Sequence, residues 1–323
     1  MNDSVTVDAA GALIGGGARF RIELYRYLER TQRSDIHLIG AGRRLGPAWL
    51  VRREVGNPRN GRRVALNNVS FVTPGGEKWT RLGNPLDFLT DDEWANLAPQ
   101  LRAATRRRAP VVRMAAHRSD VIVTPSAAMA ERVTRVMPSL KNKVTPRLNP
   151  VSADSIPSMP REPLILCPVL FSPYKHMVKR IRDWVNAIDA YLDADIKMLV
   201  TAEHKEVPDD LARHNRITLV GRLPNSELRQ YWARSKAIYF PTEIESFGFP
   251  LAEARVSGQP VIALDSEQSR EIAGPALAGF IPGDPDSLRN ATERALLMAG
   301  QLKPDPGPFD PDAYFRWLLG APQ

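Results

Sequence analysis

The chain has 323 residues, 43% of them hydrophobic and 25% charged, which excludes the polar, aromatic-poor profile of a disordered tail. No stretch approaches the ~18 consecutive apolar residues of a membrane-spanning helix, and the N-terminus MNDSVTVDAAGALIGGG has an acid where a signal peptide has its basic region, so a cytoplasmic protein is expected. The net charge of +8 is uneven: residues 1–150 hold 25 Lys and Arg against 13 Asp and Glu, and the remainder holds 19 against 23.

SVTVDAA is β-prone, the glycines at 15 to 17 break it, and ARFRIELYRYLERT sets Phe20, Leu24, Tyr27 and Leu28 on one helical face before DIHLIGAG returns as a strand. This predicts a βαβ opening. RRVAL and VSFVT are further strand candidates, with helices after Thr90 and before Arg108, and RSDVIVTPS is a buried strand backed by the helix AAMAERVTRVM. Pro146, Pro150, Pro157, Pro160 and Pro163 then disfavour both helix and central strand, which places a domain boundary there. Beyond it the alternation restarts: LILCPVLF, IKMLVTA, ITLVG, AIYFPT and PVIAL read as strands, and VKRIRDWVNAIDAYL, NSELRQYWARS, PLAEARVSG, SREIAG and SLRNATERALLMAG as helices. Two successive α/β units predict two doubly wound, Rossmann-like domains with an interdomain cleft, over residues 1–150 and 151–305, with a tail helix over 306–323.

The richest stretch is YFPTEIESFGFPLAEARVSGQPVIA, from Tyr239 to Ala263. A strand ends near Pro241, Pro250 sits at the first helical position and Gly258 is the C-terminal stop, so the loop carrying Glu245, Phe247, Gly248 and Phe249 faces a helix N-terminus. Backbone N–H groups at the positive end of a helix dipole suit a phosphate. Glu245 and Glu253, with seven residues between them, add carboxylates suited to sugar hydroxyls. Phosphate donors beside hydroxyl acceptors describe a nucleotide-sugar site; the plainer alternative is a solvated loop acid and a dipole partner.

On these residues the segment resembles the E-x7-E hallmark of retaining glycosyltransferases of family 4, which have the GT-B fold. The likeness extends to VDAAGALIGGGARFRIELYRYL, RSDVIVTPSAAMAERV, RLNPVS, ITLVGRLPNSELRQYWARSKAIYF and SREIAGPALAGFIPGDPDSL. The resemblance implies that Glu245 contacts the donor sugar, that Glu253 contacts the ribose, and that the amides of Phe247, Gly248 and Phe249 face sugar and phosphate. It implies Lys175 on the diphosphate and Gly15, Gly16 and Gly17 as the N-terminal glycine loop. The family's usual diphosphate Arg falls on Val169 or Leu170, so Lys179, Arg180 or Arg19 is left as the second cation, with a solvated helix face as the alternative for Lys179 and Arg180. Relatives have a His near the anomeric centre where RLGNPLDFL offers Asn84, which becomes a candidate catalytic residue.

Three further patterns have plainer readings. Gly40, Gly42 and Gly46 resemble a dinucleotide fingerprint but follow the second strand, lie among arginines and lack an acid about 20 residues on. The triplets at Asp193, Asp284 and Asp310 read as helix ends and proline turns rather than metal-binding DxD motifs. Cys167 is the single cysteine and the five histidines are scattered, so no metal is expected. Arg102, Arg106, Arg107, Arg108 and Arg113 make a basic set that suits an anionic acceptor or membrane surface better than nucleic acid, because no aromatics flank it for base stacking. The resulting expectation is a cytoplasmic, metal-independent, retaining transferase, peripheral at the inner face of the membrane, that needs no cofactor beyond its nucleoside-diphosphate sugar. A nucleotide-sugar binder without turnover is the alternative, and a nucleic-acid-binding protein the third reading.

Overall fold

A computed structural model describes residues 4–321 except 12, 14, 57–58, 154–158, 169–170, 172–174 and 192–194. Its chain divides into two units, Met1–Ser152 with Glu245–Phe247 and Pro308–Gln323, and Ala153–Ile244 with Gly248–Gly307.

In the first unit short β-branched runs such as VTVD are buried at every position, as strands covered on both faces must be. Its elements in chain order are β1 (Val5–Asp8), α1 (Gly15–Thr31), β2 (Ile36–Ile39), α2 (Pro47–Val55), β3 (Arg62–Ala65), β4 (Glu77–Arg81), α3 (Asp91–Asn96), α4 (Pro99–Ala116), β5 (Val121–Thr124), α5 (Ala127–Val136) and β6 (Val144–Pro146). The strands pair in parallel in the order β2-β1-β3-β4-β5-β6. The glycine run is not a turn ahead of α1: Gly15–Gly17 form its first turn, and Gly15 has a φ of 58°.

VSFVT is not a strand; the strand of that region is EKWTR, β4. Side chains take the backbone groups that a ladder would have used. Glu54 accepts from the amides of Val72 and Thr73 at 3.1 Å each, Arg53 donates to the carbonyl of Ser70, and Arg63 donates to those of Thr73 and Gly75. Two buried guanidiniums and a carboxylate thus hold an irregular segment in place, while Phe71 supplies its apolar anchor.

The second unit carries β7 (Glu162–Cys167), α6 (Met177–Tyr191), β8 (Lys197–Val200), α7 (Asp209–Ala212), β9 (Ile217–Leu219), α8 (Asn225–Arg234), β10 (Ser235–Phe240), α9 (Phe249–Ser257), β11 (Val261–Leu264), α10 (Glu267–Ala273), β12 (Leu277–Phe280) and α11 (Pro285–Met298). All strands are parallel in the order β12-β11-β10-β7-β8-β9, which counted within the unit is the 3-2-1-4-5-6 order of the Rossmann fold. Strand β12, the sequence LAGF, was hidden by its length and its glycine. Asp284 caps α11 by accepting from Ser287 N at 2.9 Å, so that aspartate serves its helix; Asp193 and Ala194 lie outside the described residues.

The last helix, α12 (Pro311–Leu319), belongs to the first unit. Asp310 caps it, accepting from Asp312 N at 2.8 Å. Tyr314 and Phe315 meet Phe20 of α1 edge-on at 5.6 and 5.5 Å between ring centroids, Phe315 meets Tyr27 at 5.2 Å, and Trp317 meets Trp79 of β4 at 4.9 Å. Arg62 donates to the carbonyls of Trp317 and Leu318 at 3.1 and 3.0 Å, a cation at the negative end of the helix. Beneath this contact Arg81 lies buried, 4.5 Å from the ring centre of Phe20, donating to Asn149 Oδ1 at 3.2 Å. Burial pushes the pKa of Arg81 down and that of the Tyr314 phenol up to about 12.

Candidate functional site

In a doubly wound sheet the loops that can hold a ligand follow the carboxyl ends of the two strands where the order reverses. In the second unit those strands are β7 and β10. The loop after β7 carries Lys175, whose Nζ stands 6.0 Å from the ring centre of Phe240, the last residue of β10. Its neighbours Val169 and Leu170, where a second diphosphate cation was sought, lie outside the described residues.

The loop after β10 leads into α9. Gly248 is the N-cap residue with a φ of 78°, and a Cβ there would come within 2.9 Å of Phe240 and 3.1 Å of Leu251. Both the left-handed backbone and the close ring require glycine. The helix starts at Phe249, one residue before Pro250, its N-cap Gly248 brings no side chain to cap it, and Gly258 ends it in the left-handed region with a φ of 64°. Glu253 lies half-buried on this helix. Glu245, Ser246 and Phe247 group with the first unit, where Ser126, the N-cap of α5, donates from Oγ to the carbonyl of Ser246 at 2.8 Å and the Phe247 ring lies edge-on to Phe309 at 6.2 Å. The two glutamates of the motif are therefore anchored on different frameworks.

The cations that the sequence left open separate clearly. Lys179 is exposed and paired with Asp183 at 2.9 Å, in keeping with a solvated helix face. Arg180 is not on such a face: its side chain is only 6% exposed, it pairs with Asp183 at 3.3 Å and with Glu243, and its carbonyl accepts from Tyr239 Oη at 2.8 Å. Arg180 thus ties α6 to the loop after β10 through Glu243, a residue that sequence reasoning passed over. The signal was present as a third glutamate two residues before Glu245, without a spacing to mark it. Burial raises the Tyr239 phenol well above its usual range, which keeps it a neutral donor, and raises the Cys167 thiol as well.

The remaining residues lie in the first unit. Gly15–Gly17 open α1 and Arg19 is half-buried on it. Asn84 accepts from Leu86 N at 3.2 Å as the cap of a short 3-10 turn, Pro85–Phe88, which occupies its Oδ1 and leaves its Nδ2 as the donor. The basic set on α4 does not act as one: Arg108 pairs with the buried Asp87 at 2.7 Å, Arg113 donates to the Asp87 carbonyl at 2.8 Å, and Arg102 donates to the carbonyls of Ala95 and Leu97. Arg106 and Arg107 stay exposed and unpaired among the described residues. Helical spacing gathered five arginines, but the carboxylate and carbonyls beneath the helix took three of them.

Residues 168–297 match the family model described as glycosyl transferases group 1. No curated protein matches the chain in sequence. Among solved structures it is similar to WaaG, a glycosyltransferase involved in lipopolysaccharide biosynthesis, with a TM-score of 0.69 and 12% identity over 98% of this chain and 100% of that one. It is similar to Anabaena Alr3699/HepE in complex with UDP and glucose, with a TM-score of 0.61 and 12% identity over 98% and 95% of the two chains. It also resembles TarM, with a TM-score of 0.54 and 12% identity over 81% of this chain, but spans only 55% of TarM's length. These likenesses show the fold: two parallel six-stranded sheets flanked by helices, the GT-B architecture.

Proposed function

We propose that this chain, a GT-B fold whose residues 168–297 match the group 1 glycosyltransferase model, is a retaining, metal-independent glycosyltransferase of family 4. It moves a sugar from a nucleoside diphosphate to an acceptor held mainly by the N-terminal domain. The observation that carries this reading is the coincidence, at the reversal point of one sheet, of Lys175 and the N-terminus of α9, whose N-cap Gly248 brings no side chain of its own. Negative charge grows on the leaving diphosphate, and a cation with a helix N-terminus is suited to receive it.

In this reading the bond from the anomeric carbon to the phosphate oxygen breaks, the acceptor oxygen bonds to that carbon on the same face, and the acceptor proton passes to the departing phosphate. No protein nucleophile is consumed. Glu245 holds sugar hydroxyls, Glu253 the ribose, and Lys175 the diphosphate; the roles that the resemblance gives to Gly15–Gly17, Arg19 and Asn84 are part of the same proposal. Arg180 is a positioning residue that acts through Glu243. Metal independence is part of the same proposal. The UDP and glucose held by HepE support a nucleoside-diphosphate hexose as donor. No helix among the described residues is long and apolar enough to cross a membrane, and Arg106, Arg107 and the 69% exposed Met114 of α4 support a peripheral position at an anionic membrane surface on its cytoplasmic side.

Donor hydrolysis tests the reading. Incubated with a panel of nucleotide sugars and no acceptor, the protein is expected to release free sugar slowly from one of them, with activity retained within about twofold in excess chelator. Tight nucleotide binding without any sugar release across the panel would instead favour a binder that has lost turnover.

A further inference from the structure

The glycine-rich loop after β2, GAGRRLG, has no role in the donor site, yet it borders an open depression at the carboxyl edge of the first sheet. The depression comprises two adjoining spaces of about 280 and 390 Å³, lined by Arg43, Arg44, Trp49 and Arg52 with Gly40 and Gly56, and among the described residues no acidic one lines either. Arg43, Arg44 and Arg52 are exposed, and none has an acidic partner among the described residues. That sets them apart from Arg53, Arg62 and Arg63, which are spent on packing. The guanidinium of Arg43 lies over the indole of Trp49, 5.4 Å from the ring centre.

The indole itself is fixed. Its Nε1 donates to Asp8 Oδ1 at 3.1 Å, and Asp8 is held in turn by Arg53 at 2.7 Å, Asn67 at 2.8 Å and the Ala10 amide at 3.0 Å. Gly40, with a φ of 70°, lets the ring lie there, because a Cβ would come within 2.8 Å of Trp49 and 2.7 Å of Asp8. At the loop's other glycines, Gly42 and Gly46, a Cβ would meet nothing within 4 Å, so the backbone ahead of α2 is open to approach. A rigid aromatic face, three guanidiniums without acidic partners lining the same depression and an accessible loop suit a compact dianion attached to a ring with an apolar face.

We infer that Arg43, Arg44, Arg52 and Trp49 form a binding site for a phosphomonoester borne on a sugar-sized group. The guanidiniums take the phosphate oxygens and the indole packs on the ring. As the anionic end of an acceptor, this ligand deepens the proposed function and rests on it; the binding itself does not. The same phosphate could come from a soluble sugar phosphate or from a lipid headgroup, and the test separates the two.

The full chain, labelled with ¹⁵N, is titrated with glucose 6-phosphate and with glucose while the tryptophan indole N–H signals are followed. The signal missing from a Trp49→Phe spectrum is expected to move with glucose 6-phosphate and not with glucose. Arg43→Ala/Arg44→Ala, both at exposed positions, is expected to weaken that binding at least tenfold and to leave UDP binding unchanged. In a parallel arm, co-sedimentation with phosphatidylcholine vesicles containing phosphatidic acid, lost in the same double variant, with no response to glucose 6-phosphate, assigns the phosphate to a lipid. If neither arm responds, or if both responses survive the double substitution, the site is overturned. If wild type binds no nucleoside diphosphate of the panel while the indole still responds, the donor reading falls and the phosphate site stands.

Discussion

The two sheets reverse their strand order at comparable places and fill those places differently. In the first unit the reversal lies between β1 and β3, and it is occupied by the chain's own ion pair: Asp8 is fully buried and meets Arg53, itself buried, with Asn67 and Trp49 completing its partners. In the second unit β7 ends in Cys167, a neutral thiol, and the ion pair of Arg180 with Glu243 braces the loop after β10. One reversal point is closed by a buried ion pair, and the other is flanked by the loops that carry Lys175 and Gly248. The difference explains why a ligand site in the first unit is displaced to the next loop along the edge, where Trp49 is the outer face of the same buried network.

The largest effect that would test this contrast is on stability. Asp8→Ala leaves the buried Arg53 guanidinium with Glu54, 3.3 Å from its Nε, as its remaining counter-charge, and a loss of about 3 kcal/mol is expected by denaturant unfolding. Glu243→Gln, at a carboxylate 37% exposed, should cost about 1 kcal/mol or less. Equal losses would mean that the two reversal points are built alike.

Activity comes next. In the proposed reading Glu245→Ala removes a charge-assisted bond to the sugar worth about 1.5–3 kcal/mol, so transfer should fall roughly 10- to 150-fold, while Glu253→Ala should mainly raise the Kd for the nucleoside diphosphate. Unchanged turnover in a folded Glu245 variant would remove the donor assignment from this loop. A smaller but ordered effect is expected for the lysines: Lys175→Ala should impair donor binding more than Lys179→Ala, because Lys179 spends its charge on Asp183. Titration against the donor in both variants reads the order directly, and the reverse order would move the diphosphate to the outer face of α6.

The smallest effect concerns a charge used for packing in the first unit. Burial pushes the pKa of Glu93 up, but the Arg132 fork and the amide and hydroxyl of Thr90 outweigh it and hold the carboxyl below its usual range. A carboxylate with a lowered native pKa stabilises the fold above its unfolded pKa of about 4.3, and that contribution is lost as pH falls through the native value. Glu93→Gln should therefore be less stable than wild type by about 1 kcal/mol or less at neutral pH, and the gap should close in acid. A gap that persisted below pH of about 3 would mean the capping geometry, not the charge, carries the contribution.

Much of the fold was legible because periodicity reports burial. The opening βαβ, the helix between Gly248 and Gly258 and the caps at Asp284 and Asp310 all follow from local chemistry. What the sequence concealed depended on distant partners. VSFVT has strand composition, yet Glu54, Arg53 and Arg63 satisfy its backbone instead of a neighbouring strand. Arg180 and Lys179 are adjacent and chemically alike, and only the fold shows that one is buried against Glu243 while the other is exposed. The E-x7-E spacing stood out in the sequence, but its division between two frameworks did not, because nothing in Ser246 or Phe247 announces Ser126 and Phe309 as neighbours.

The return of α12 to the first unit has a consequence for how the protein is made. Phe20, Tyr27 and Trp79 leave the ribosome early, but the residues that cover them, Phe315 and Trp317, emerge only after the second unit has been made. Until then a nascent chain holds an aromatic face and the buried Arg81 without Tyr314 beside it. The first unit can therefore close only after the second has been translated, and for that interval its exposed rings are the surface that a chaperone would meet.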